Sequence, residues 1–338
     1  MKCAASERTP RMSRISGVPR FRCRFLGALF WALSFFVFAG HGLAQNSASQ
    51  NIDRAQLTRT QTGSPFAPEV TPNGVQGDEA AATPNDTDLG EQQILKRVEE
   101  YQPFTASVAT PFYYTSNVAL TNKGVHGDFL VAPAAGVYYQ PRITRTLYAF
   151  IDVRQQFFYY NHYNSFDFGS FDAEAGLTYS LPQFHNLILR GEYDFNRLTS
   201  SDRILDEFYS NHSLIASAEL PFHIGRAQQL SLGAGVNISV AADHESPRRN
   251  DYGVFLGYSV FLTRSLSLDS AGRVVVRDYY HGDRTDVSEI LAVSANYRLT
   301  NWWTASVISS FAASQSNHSV FSYNVANAGG AIALSAKF

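Results

Sequence analysis

The stretch "NLILRGEYDFN", Asn186 to Asn196, decides how the chain is to be read. Leu187, Leu189, Gly191, Tyr193 and Phe195 share one side, while Arg190, Glu192, Asp194 and Asn196 share the other. Period-two alternation is the signature of a strand with one apolar and one polar face. "TLYAFIDVRQQFFYY" (Thr146–Tyr160) repeats it, with Ile151, Val153, Phe157 and Tyr159 opposite Asp152, Arg154 and Gln156. "FDAEAGLTYSL" and "QLSLGAGVNISV" follow the same pattern.

Such strands fill the chain from Phe104 onward. Short connections recur at "QPRITR", "LPQFHN", "PFHIGRAQ", "LTRS" and "LTNW", and longer polar segments alternate with them. The spacing predicts twelve strands, at about 104–116, 128–140, 146–161, 170–181, 187–199, 207–220, 229–241, 251–262, 265–280, 287–299, 302–314 and 324–338. An even count with turns alternately short and long fits a membrane barrel. Aromatics gather at both strand ends. Tyr139, Tyr148, Tyr179, Phe261, Trp302 and Trp303 lie near the short turns; Phe112, Tyr113, Tyr159, Tyr160, Tyr193 and Tyr279 lie near the long ones. Two belts around an aliphatic band suit the two interfaces of a bilayer, whereas a soluble sandwich would bury its apolar face between two sheets. The expected fold is therefore all-β, a twelve-stranded antiparallel transmembrane up-and-down barrel over residues 103–338.

The N-terminal third reads differently. Lys2 and six arginines up to Arg24 precede the apolar run "FLGALFWALSFFVFAG" and a small-residue site ending at Ala44, the order of a secretory signal peptide over 1–44. Met12 offers an alternative start. Both cysteines, Cys3 and Cys23, fall in this leader, so disulfides, cysteine catalysis and thiolate metal sites are excluded from the remainder. Without the leader's seven basic residues and one acid, the 27 basic and 29 acidic side chains become 20 and 28, a net charge near −8. That balance gives no basic patch for nucleic acid. Residues 45–102, rich in Asn, Gln, Ser, Thr, Pro and Gly, hold too little apolar surface to offset ordering entropy. They read as a mostly disordered periplasmic arm, with one possible short helix over 91–101 whose Ile94, Leu95 and Val98 share a side.

The last eight residues, "AIALSAKF", alternate to the final atom, with Ile332, Leu334, Ala336 and Phe338 on one face. On this feature and the strand pattern the chain resembles the Gram-negative outer-membrane β-barrel proteins from about Phe104 onward. "PFYYTSNVAL" (Pro111–Leu120) also resembles the opening strand of a porin-like group of such barrels. The resemblance implies that Ile332, Leu334 and Phe338 form the signal read by the barrel-insertion machinery. Ala336 departs from the pattern, since a larger residue is usual there. Outer-membrane lipid and location in the cell outer membrane follow from the same resemblance; it leaves the oligomeric state open.

On the polar faces, Asp152, Arg154, Asp172, Glu174, Arg190, Glu192, Asp194 and Glu219 fall on strands three to six. Asp269, Arg273, Arg277 and Arg298 fall on strands nine and ten, about half a circumference away. Facing walls of opposite sign would set a transverse field across a narrow lumen and line a channel for passive diffusion of small polar solutes. The alternative is that these charges pair and fill a pore-less barrel serving envelope assembly, polysaccharide export or surface interaction. Small inward residues such as Ser231, Gly233, Gly235, Gly329 and Ala331 leave room that either water or the helix near Ile94 would occupy, and water is the expectation.

Chemistry finds little footing. "SNHS" occurs at Ser210–Ser213 and Ser316–Ser319, but neighbours on a strand point oppositely, so His212 and Ser213 cannot form a dyad. Asp243, His244 and Glu245, or His281 with Asp283 and Asp286, read as solvated loop charge rather than cation ligands. No enzyme activity, cofactor or metal is expected.

Overall fold

The computed structural model describes residues 48–61, 70–71, 74–75, 102–200, 206–224, 227–263 and 265–338. The expected leader over 1–44 and the expected helix over 91–101 lie outside the described residues. The first described element is a helix, α1 (Ala48–Gln61), followed by a two-residue ladder of Val70–Thr71 with Gly74–Val75.

The barrel strands are β1 (Phe104–Thr115), β2 in two pieces (Asp128–Val131 and Ala134–Tyr139), β3 (Leu147–Tyr160), β4 (Phe168–Leu181), β5 (Leu187–Ser200) and β6 (Glu207–His223). They continue as β7 (Gln228–Asp243), β8 (Arg249–Phe261), β9 (Leu266–Tyr279), β10 (Thr285–Arg298), β11 (Trp303–Ser316) and β12 (Tyr323–Lys337). Each pairs antiparallel with its sequence neighbours, and β12 pairs with β1 from Asn327↔Thr115 to Lys337↔Thr105. Phe338 N donates to the Phe104 carbonyl at 2.8 Å, so the ladder closes at the last residue. Closure removes the free edge that an open sheet could not satisfy in lipid. The break in β2 falls at Pro133, which has no N–H to donate; its carbonyl still accepts Phe157 N at 2.9 Å.

Three of the short turns share one device. In "ITRTL" (143–147), "LTRSL" (262–266) and "LTNWW" (299–303), the first two residues both donate to the carbonyl of the fifth. The threonine hydroxyls of Thr144, Thr263 and Thr300 accept backbone N–H groups within the turn. A hydroxyl able to close its own turn is why threonine recurs there.

Facing outward are Val108, Ile151, Val153, Leu189, Val254, Leu291, Val307 and Ile332, all exposed and aliphatic. Tyr139, Tyr179, Phe261, Trp302 and Trp303 ring this band at the short-turn end, and Phe112, Tyr159, Tyr193 and Phe311 at the other. The outward face is thus suited to lipid contact. Four aromatics expected in the belts face inward instead: Tyr113, Tyr148, Tyr160 and Tyr279 are all buried. Strand ends alone do not say which face an aromatic occupies; register does. Each of the four lies an odd number of residues from the exposed Phe112, Ile151, Tyr159 or Tyr280 on its own strand or at its end, and so points to the opposite face.

Candidate functional site

Inside the long-loop half of the barrel sits α1. Residues 48–61 belong to the arm for which composition predicted no fixed structure, and the helix occupies this part of the lumen. Alanine, glutamine, arginine and leucine are good helix formers, yet fourteen residues are marginal as an isolated helix in water. The wall supplies the rest. Ala55 packs in a cluster with Tyr113, Leu130, Phe158, Phe168 and Leu198, and Leu57 in a second cluster with Leu120, Ile290, Ala312, Tyr323 and Val325.

Polar contacts fix rotation and depth. The Arg54 guanidinium donates to Thr115 Oγ1 at 2.8 Å and to the carbonyls of Asn117 and Val118. One turn on, the Thr58 hydroxyl lies 2.8 Å from the Tyr113 hydroxyl, two residues farther along β1 from the loop. Successive turns of α1 therefore meet successively deeper wall residues, and the C-terminal end of the helix points toward the short-turn mouth. The connection over 116–127 folds in with it. Asn117 Nδ2 donates to the Thr121 and Asn324 carbonyls, and Leu120 takes a left-handed φ of 48° to reach Leu57's cluster.

Asp53 is the centre of the site. Its Oδ1 accepts Arg249 Nη1 at 2.7 Å; its Oδ2 lies 3.2 Å from Arg277 Nη1 and accepts the Tyr323 hydroxyl at 3.0 Å. Arg249 also donates to the Tyr279 hydroxyl at 2.9 Å and to Gln56 Oε1 at 2.9 Å, and its Nε lies 3.0 Å from Asp251. Arg277 reaches Ser288 Oγ at 2.8 Å. Arg284, held by Asp286, stacks over the Tyr279 and Phe321 rings. Burial raises the pKa of the Asp53 carboxyl, but the positive charges of Arg277 and Arg249 outweigh burial and hold it below the ordinary carboxylate value.

The sequence-predicted lining residues fall into three groups. Asp152, Glu174 and Asp194 stand directly abreast on β3, β4 and β5, with Arg154 beside Asp172 one step along. This wall is braced internally: Arg190 bonds Glu192, comes within 3.5 Å of Glu174 and lies over the Phe150 ring. Asp172 accepts Ser170 and Asn196, and Asp194 accepts Ser213 at 3.3 Å. Glu219 is buried on β6, abreast of Gly233 and Ile188. On the other wall, Asp269 accepts Asn296 Nδ2 at 2.7 Å, and Arg273 stands between Phe255 and Ile290. Arg298 is exposed at the short-turn rim. Arg277 is committed to Asp53, so the basic wall is covered at its long-loop end by α1. The residues that sequence reasoning missed are Asp53, Arg54, Gln56, Leu57 and Thr58 on the helix, and Arg249, Asp251, Arg284 and Tyr323 around it.

Other candidates separate. His212 faces outward, 4.8 Å from the Phe195 ring, while Ser213 faces inward onto Asp194. His318 Nε2 lies 3.0 Å from the Gly282 carbonyl. His281 pairs with Glu245 at 3.2 Å, joining two long loops, and Asp286 is held by Arg284. Ile332 and Leu334 face outward, and the Phe338 ring packs 5.9 Å from that of Phe104.

No protein-family model matches the chain, and no curated protein matches it. Among solved structures, an outer membrane channel from Pseudomonas putida F1 is similar at a TM-score of 0.52 and 12% identity, covering 70% of this chain and 96% of that one. The translocator domain of the autotransporter NalP from Neisseria meningitidis matches at 0.40 and 10%, covering 70% and 89%. The KdgM porin in complex with oligogalacturonate matches at 0.36 and 6%, covering 66% and 97%. The fold is that of the outer-membrane β-barrels: a closed barrel of twelve antiparallel strands.

Proposed function

We propose that the protein is an outer-membrane channel for passive diffusion of small polar solutes, closed at its long-loop end by α1. One observation carries this reading. The barrel's own side chains do not fill the lumen: the space holds a helix, an object about 10–12 Å across with its side chains, supplied by a segment outside the barrel. A wall that accommodates a helix is wide enough for hydrated solutes once that helix leaves. The structurally similar Pseudomonas putida protein is an outer membrane channel, which agrees with this reading.

The outward aliphatic band and its aromatic rings support contact with outer-membrane lipid, and the outward Ile332, Leu334 and terminal Phe338 suit recognition by the barrel-insertion machinery. No residue is assigned a chemical step; the polar wall of Asp152, Glu174, Arg190 and Asp194 sets which solutes pass. A liposome-swelling assay tests the reading. Vesicles carrying the protein without residues 48–61 should swell in small neutral sugars, with rates falling as solute size rises. Folded protein that leaves vesicles impermeable with α1 removed would instead favour the pore-less barrel.

A further inference from the structure

The lumen wall around Asp53 holds its charges in an uneven way. Arg284 is neutralised by Asp286, its own neighbour along the chain, with both carboxylate oxygens 3.0 Å from Nε. Arg249 has Asp251 on its own strand at 3.0 Å. Arg277 is different. With α1 in place it is 1% exposed; Asp251 and Asp286 stand abreast of it in the ladder, but among the described residues the acid that ion-pairs with it is Asp53, on α1 and not on a barrel strand. Three arginines thus meet two wall acids, Asp251 and Asp286, and removing Asp53 leaves one positive charge on the wall uncompensated.

The geometry of that site is specific. Arg249 Nη1 approaches one carboxylate oxygen at 2.7 Å, while Arg277 Nη1 and the Tyr323 hydroxyl converge on the other at 3.2 and 3.0 Å. Two guanidinia and a phenol thus grip both oxygens of one planar group. Charge-assisted contacts from arginine to both oxygens are the recognition mode that separates a carboxylate from a spherical halide. Gln56 spans both guanidinia from the same helix, so α1 presents the carboxylate with an amide beside it.

We infer that the pocket formed by Arg249, Arg277 and Tyr323 is a recognition site for a carboxylate-bearing solute, and that Asp53 occupies it as an internal stand-in. A free carboxylate competes with Asp53 for the same donors, so its binding and the release of α1 are coupled. A ligand shifts such an equilibrium through its preference for the undocked state, and here the preference follows from both carboxylates needing one pocket. The consequence for transport rests on the channel reading above; the pocket itself does not.

The test uses the absence of cysteine beyond the leader. In the full mature chain, Ser49→Cys places a near-isosteric thiol on the buried face of α1, and Ala55→Cys serves as a second reporter should the first disturb folding. The rate of modification by a charged maleimide is followed in sodium succinate and in sodium chloride at equal ionic strength and pH. Succinate should raise the rate at least about tenfold over chloride, at 1.4 kcal/mol per decade. Asp53→Asn should label fast in both salts, and Arg277→Gln should lose the difference between them. Equal rates in the two salts for the reporter protein, whether both slow or both fast, would overturn the inference. Conductance recorded on the same samples separates the two readings. Succinate-dependent labelling without conductance leaves the pocket and removes the channel; conductance without succinate dependence does the reverse.

Discussion

Asp53 and Arg277 lie 3.2 Å apart although one belongs to the N-terminal arm and the other to β9, and both are almost fully buried. That pairing makes a helix part of the barrel interior. Breaking a buried pair by neutralising one partner costs about 3–5 kcal/mol, since the other charge stays behind. Asp53→Asn should therefore undock α1. Trypsin cleavage after Arg54, now shielded at 2% exposure, should accelerate by about two orders of magnitude or more at 1.4 kcal/mol per decade. Mass spectrometry of the digest reads the site. Unchanged protection would mean that apolar packing alone holds the helix.

Acid should act in the same direction. Asp53 is faced by Arg249 and Tyr279 from β8 and β9, Arg277 from β9, Arg284 from the loop before β10, and Tyr323 from β12. When docked, its carboxyl is held below the ordinary carboxylate value by Arg277 and Arg249, which outweigh burial. A depressed carboxylate contributes its docking energy fully above the undocked value and loses it as pH falls through the docked one. Protection of the α1 amides, read by hydrogen–deuterium exchange corrected for the intrinsic pH dependence, should be flat from pH 7 to about 5 and fall only once the pH passes below the ordinary carboxylate range. Asp53→Asn should show no such fall over the same interval.

Leu57 tests the apolar half of the dock. It is 1% exposed among Leu120, Ile290, Tyr323 and Val325. Leu57→Ala leaves a cavity and should weaken docking by about 2–5 kcal/mol, with the barrel's own thermal unfolding unchanged. A drop in barrel stability comparable to the loss of docking would show that α1 holds the wall together instead of filling it.

Gly329 tests the approach of β12 to β1. A Cβ there would stand 2.1 Å from the Phe112 carbonyl oxygen and 2.4 Å from Tyr113 Cβ. Gly329→Val must push the strands apart or displace Tyr113, whose hydroxyl meets Thr58. The expected loss is about 1–3 kcal/mol, read from the heat-modified gel shift. Gly272→Ala, with nothing within 4 Å of the added atom, is the control.

Deleting Phe338 removes both backbone bonds to Phe104 and the ring contact at 5.9 Å that close the barrel. Insertion into membranes should fall, measured as the folded fraction in isolated outer membranes. Full insertion without it would remove the role assigned to the terminus.

The barrel was legible because a bilayer imposes one simple rule on every strand. Ile151, Leu189, Val307 and Ile332 face outward in an alternation that suits lipid on one side, and the ends of all twelve strands come within a few residues of the expected positions. The closing pair of β12 with β1 follows from the same rule, since a free edge cannot be satisfied in lipid. The helix was not legible, for a physical reason. Period-3.6 reasoning looks for an apolar stripe facing an apolar core, and α1 has none. Asp53, Arg54, Gln56 and Thr58 are all useful because the wall they meet is polar. The same rule favoured Ile94, Leu95 and Val98 instead. Arg277 falls on the expected inward face, and its pairing with Asp53 could not be read because Asp53 lies in a segment that composition left featureless.

Single-channel recording in a planar bilayer tests the central claim most directly, comparing the intact mature chain with the chain lacking residues 48–61. The account predicts that the intact protein is closed or opens rarely, and that removing α1 gives stable stepwise conductance. Folded, inserted protein that conducts no better without α1 than with it would contradict the account.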